Sequence, residues 1–167
     1  MLDQLLKAAD GPLKEMLAGM NQENPSATAS ALEDSLAGIL KQKVSSGDTS
    51  AIAEMFSGRE TNASSSVIQG LQGDVVSDLI GKLGISKEQA AGIVSAALPM
   101  IMNYFNKNVN NAPQANEDIM SSVISSLQGG EGKVNPTDLL GSLMGGGKGD
   151  GGMDLGGLMD MGKGLFK

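Results

Sequence analysis

The chain has 167 residues, a formal charge of −7 and a pI near 4.5, with no Cys, no His, no Trp, three Phe and one Tyr. Without Cys or His, disulfides, the usual zinc and thiolate iron–sulfur sites and histidine general-base chemistry are excluded. The acidic balance is repelled by phosphate backbones and anionic headgroups, and no basic patch overrides it, the closest cluster being Lys41 and Lys43.

A core here must be built from Leu, Ile, Val, Met and Ala, a palette that packs helix on helix more naturally than sheet on sheet. The start, MLDQLLKAADG, has Asp3 early and only a short apolar stretch, so it does not read as a secretory signal. The segment LDQLLKAADGPLKEMLAGM predicts two short helices hinged at Gly11-Pro12, with Leu13, Met16, Leu17 and Met20 at helical spacing. Asn21 to Asn24 form a polar break before Pro25. In PSATASALEDSLAGILKQKV, the residues Leu32, Leu36, Ile39, Leu40 and Val44 make a one-sided stripe. Glu33 and Asp34 near its start and Lys41 and Lys43 near its end suit the helix dipole. Gly47-Asp48 ends this helix; Asp48 or Thr49 then caps a shorter one through Ile52, Met55 and Phe56, stopped by Gly58.

The central block, 62–108, predicts a short helix ending at Gly73, a second capped by Asp74 and striped by Val75, Val76, Leu79, Ile80 and Leu83, and Gly84 as a left-handed C-cap. Ser86 with Gln89 then forms a capping box that opens an apolar helix over 87–106. Three helices with a Gly-containing turn make a homeodomain-like outline. Pro99 predicts a kink, with Ile93, Leu98 and Ile101 buried on either side of it and Phe105 in the same core. After a polar loop, NKNVNNAPQAN, Ile119, Met120, Val123, Ile124 and Leu127 share one face of a further helix that Gly129-Gly130 closes. Fourteen of the 24 glycines fall in 129–167, too many for a packed domain. Short marginal helices are expected near 136–144 and 154–165, separated by the flexible GGGKGDGG.

Residues 75–105, VVSDLIGKLGISKEQAAGIVSAALPMIMNYF, resemble the central motif of the YidB-like family of bacterial proteins, also catalogued as a domain of unknown function. The "AN-x-D-I" helix at 115–119 and GKGLF at 162–166 add to the likeness. It covers 60–128 well, the tail loosely and the first 58 residues poorly. The resemblance implies a multihelical, homeodomain-like all-α fold and carries no catalytic signature.

A helix–turn–helix suggests DNA reading, but a recognition helix must offer polar and basic groups to bases and phosphates. Between Ala90 and Tyr104 only Ser95 and Asn103 are polar, and the charges from Asp74 to Lys107 sum to zero. The uncharged run from Ala90 to Asn106 is shorter than the roughly 20 residues a bilayer span requires. GGGKG fails as a phosphate loop because Ser142 and Gly149 occupy the positions that need Gly and Ser or Thr. Asp150, Asp154 and Asp160 have no calcium-loop spacing. Met100 and Met102 either fill space beside Pro99 or line an adaptable groove for a partner helix.

The sequence therefore predicts an all-α multihelical orthogonal array: a compact domain over 1–128 with a homeodomain-like unit at 62–108, and a Gly-rich tail over 129–167. Leu79, Ile80, Leu83, Ile93, Leu98, Pro99, Ile101 and Phe105 are expected in the core. The expected function is that of a cytoplasmic, non-enzymatic interaction or structural protein with no cofactor or metal. Leu155, Leu158, Met159, Leu165 and Phe166 are the candidate contacts for a protein partner or for self-association. The rival readings are a nucleic-acid-binding regulator and an envelope-associated scaffold.

Overall fold

A computed structural model of the chain describes residues 2–112, 114–130 and 141. Among them the order is α1 (Leu2–Lys7), α2 (Asp10–Gly19), α3 (Pro25–Ser45), α4 (Ser50–Met55), α5 (Ser66–Leu83), α6 (Lys87–Asn111) and α7 (Asn116–Leu127), with no strand.

Local chemistry sets most of the boundaries. The break between α1 and α2 falls at Ala8-Ala9 rather than at Gly11-Pro12. Pro12 instead sits in the first turn of α2, where a missing N–H costs nothing because such amides have no intrahelical acceptor. Asn24 caps α3 by accepting the Ala27 N–H at 3.1 Å, and Pro25 occupies the first helical position. α4 follows a turn in which the Asp48 carboxylate accepts from both the N–H and the hydroxyl of Ser50; Thr49 makes no side-chain cap. Those bonds, with Lys43 beside them, hold the Asp48 carboxyl below its usual range.

The expected stop at Gly73-Asp74 is absent, so two helices of the anticipated three-helix unit are one, α5. Ile68, Leu71, Val75 and Leu79 keep one buried face straight through the glycine, and their burial outweighs the roughly 1 kcal/mol that an interior glycine costs. Gly84 ends α5 in the left-handed region, at φ 65°, with its N–H on the Ile80 carbonyl at 2.9 Å. The capping box is complete: Ser86 Oγ accepts the Gln89 N–H, and Gln89 Oε1 accepts the Ser86 N–H, both at 3.2 Å.

α6 stays helical on both sides of Pro99 and runs to Asn111, further than 106. Its buried positions, Ala90, Ile93, Val94, Ala97, Leu98, Ile101, Met102, Phe105, Asn106 and Val109, step by three and four. They form one broad stripe, while Gly92, Ser95, Ala96 and Lys107 are exposed on the other side. α6 is therefore a one-sided core helix rather than an axis enclosed all round. It packs most extensively on α5 and also meets α2, α4 and α7; α3 carries α1, α2 and α5. A single core runs from Leu2 to Val123. No helix among the described residues is long and apolar enough to cross a membrane.

Candidate functional site

The most organised polar arrangement joins α6 to the loop after α4. Asn103, Asn106 and Asn110 recur at steps of three and four, so their amides line one side of α6. Each carries a donor and an acceptor, which is what an irregular backbone needs. Asn103 Oδ1 accepts the Thr61 N–H at 2.7 Å and its Nδ2 donates to the Thr61 carbonyl at 3.1 Å, a reciprocal pair like that of two strands. Asn106 Oδ1 accepts the Gly58 N–H at 2.9 Å and the Ser57 hydroxyl at 3.2 Å, and its Nδ2 donates to Thr61 Oγ1 at 3.1 Å. Asn110 donates to the Gly58 carbonyl, and Asn116, at the start of α7, donates to the Ser57 carbonyl. Four asparagines thus grip residues 57–61, burying Asn106 and Thr61 to 3% exposure each. The buried Phe56 anchors the loop's entry against Phe105.

Gly58 is required here twice over. Its φ is 72°, and a Cβ would collide with the Asn110 and Asn116 amides. Gly58→Ala is expected to cost about 2–3 kcal/mol, from left-handed strain plus two displaced hydrogen bonds. Chemical denaturation checks this; a loss under about 0.5 kcal/mol would show that the clamp yields cheaply.

Beside the clamp lies an open groove of about 360 Å³, lined by Glu60, Lys107 and Asn111 together with Asn103, Asn106 and Asn110. A larger shallow groove of about 610 Å³ separates α3 from α5. Its charges are paired: Lys43 lies 3.7 Å from both Asp48 and Asp74, and Lys82 lies 2.9 Å from Asp78. The Ser35 hydroxyl and Lys82 hold the Asp78 carboxyl below its usual range. No group of three or more acidic, His or Cys side chains that could hold a metal comes together among the described residues. What these sites offer is hydrogen bonding and ion pairing, largely spent inside the chain.

The anticipated core residues divide. Leu79, Ile93, Leu98, Ile101 and Phe105 are buried, whereas Ile80, Leu83 and Pro99 are half-buried at the core's edge, because Ile80 and Leu83 flank the Leu71–Val75–Leu79 line. Met102 is fully buried and Met100 half-buried against the core, so this pair is packing rather than an open groove. Met20, at 36%, is the exposed large hydrophobic among the described residues. Leu155, Leu158, Met159, Leu165 and Phe166 lie outside the described residues. The asparagine clamp was not anticipated, although the 103/106/110 spacing on an apolar helix was its signal.

An all-α bundle whose internal polar groups grip its own backbone is the class this architecture defines. The model of a family of bacterial proteins of unknown function (DUF937), the YidB family, matches residues 65–165, and the chain belongs to that family. The match opens at Ser65, the N-cap of α5, and leaves α1 to α4 outside it. No curated protein and no solved structure matches the chain.

Proposed function

We propose that the protein is a cytoplasmic, non-enzymatic interaction or structural protein, with α1 to α7 as scaffold and the C-terminal Leu/Met segment as its contact surface. The supporting observation is where apolar side chains remain available. The helical body spends its Leu, Ile and Met side chains on its own core and exposes only Met20 among the large ones described. The family match nevertheless extends to residue 165, so the segment carrying Leu155, Leu158, Met159 and Leu165 belongs to the sequence the family shares. Apolar residues spaced among glycines bind best when a partner supplies the packing surface they lack.

The test replaces Leu158, Met159 and Phe166 together with serine in the full chain. Cross-linking and sedimentation should then show loss of the partner or of the self-associated species, with helicity and melting temperature unchanged. Identical recovery from the variant and the parent would remove the tail from the mechanism. A nucleic-acid role gains no support from the exposed start of α6, where Glu88 offsets Lys87.

A further inference from the structure

Glu33 lies on α3 where α1 and α2 pack against it. It is 7% exposed, and its Oε1 is shut off from solvent with no hydrogen-bond partner. A carboxylate buried in this way is costly in its charged form. The cations facing it, Lys14 and Lys7, offset that cost only in part. Lys14 of α2 is taken by Asp10 at 2.6 Å, and Lys7 of α1 makes no ion pair with it. Asp10 and the adjacent Asp34 add negative charge. On α1, Asp3 is already paired with Lys41. From α5, Lys82 and Asp78 reach α3 at Ser35 and pair with each other, and the charges of α7 are Glu117 and Asp118 in its first turn.

We propose that Glu33 is a proton-linked latch for the α1–α2 pair: protonated, it lets the pair seat on α3, and ionised, it loosens that seat. Burial first, and Asp10 second, push the Glu33 carboxyl up to about 7, from an ordinary value of 4.5. Between those values the seated state holds a proton that a free carboxyl has released. The seat therefore weakens as pH rises through that window and is weakest above about 7. What opens is a local unit, since α1 and α2 contribute Leu2, Leu5, Leu6, Ala9, Leu13 and Leu17 to the core through contacts mainly with α3. The latch lies outside the 65–165 family match, so it is a property of this chain's N-terminal part.

Hydrogen exchange on the full chain at pH 6 and pH 8, corrected for the intrinsic pH dependence of exchange, tests this. Protection of α1 and α2 should fall about tenfold between the two, with that of α5 and α6 unchanged. Glu33→Gln should abolish the difference, and Asp10→Asn should move its midpoint to lower pH by removing a repelling charge. Equal protection of α1 and α2 at both pH values in the parent, or the same fall in Glu33→Gln, would overturn the latch. If Glu33→Gln does not fold, the Asp10→Asn midpoint decides, and an unmoved midpoint overturns it.

Discussion

Asn106→Ala is expected to destabilise the fold by about 3 kcal/mol, an unusual cost for removing a polar side chain from a helix. The residue is 3% exposed and serves three groups of one loop: the Gly58 N–H, the Ser57 hydroxyl and Thr61 Oγ1. Ser57 keeps a second partner, the Glu54 carbonyl at 3.0 Å, so the loss concentrates on Gly58 and Thr61. The orphaned acceptor on buried Thr61 costs about 1–3 kcal/mol and the donor on half-buried Gly58 adds a smaller loss, and alanine restores neither. Arg59 gives a clean second readout, because it is the only arginine in the sequence and lies exposed on the clamped loop. An arginine-specific protease should cut the parent slowly and Asn106→Ala quickly, giving one pair of fragments. Unchanged cleavage with a stability loss below about 1 kcal/mol would mean that Phe56 and the other three asparagines hold the loop without Asn106.

Phe105→Ala is expected to cost more, about 4 kcal/mol, because it combines lost burial with a cavity the bundle cannot close. Phe105 is fully buried, with its ring 5.6 Å from that of Phe56 and 5.5 Å, edge-on, from that of Tyr104. These are three of the four aromatic rings in the chain, so the surrounding aliphatic core has no other ring to substitute. Tyr104→Ala should cost about 1–2 kcal/mol, since Tyr104 is half-buried and keeps one side toward water. Against a typical total of roughly 5–15 kcal/mol, Phe105→Ala leaves a marginal fold with a lower denaturation midpoint and little change in slope. Equal losses for the two variants would contradict the burial difference between them.

Most boundaries that depend on local chemistry were legible in the sequence, the α1–α2 break at Ala8-Ala9 being the exception. Ser86 and Gln89, Gly84, and Asn24 with Pro25 each act through neighbours a few residues away, and each appears where the residue types require it. Failures came where distant packing overruled local punctuation. Gly73-Asp74 reads as a stop, yet the Ile68–Leu71–Val75–Leu79 periodicity runs across it and wins. NKNVNN reads as a loop because asparagine is a poor helix former, but Val109 is buried and Asn106 and Asn110 are held by the loop near Gly58. Glu33 reads as an acid near a helix start, suited to the dipole, but it lies beyond the first turn of α3 and is buried, with charged groups of α1 and α2 around it. The clamp could not be foreseen from spacing alone, because Gly58 and Asn106 are 48 residues apart and only the fold brings them together.

The asparagines of α6 hold the loop mostly through its peptide groups, at Gly58 and Thr61, and Asn106 adds the hydroxyls of Ser57 and Thr61. Within the 57–61 stretch Arg59 and Glu60 project outward and tolerate broad replacement, whereas Ser57, Gly58 and Thr61 are each tied to the asparagines. This grip is also the seam between a stretch outside the family match and one inside it. A scaffold joined in this way can accept a divergent N-terminal half as long as that half presents the Gly58 turn and the two hydroxyls, of Ser57 and Thr61, that Asn106 engages.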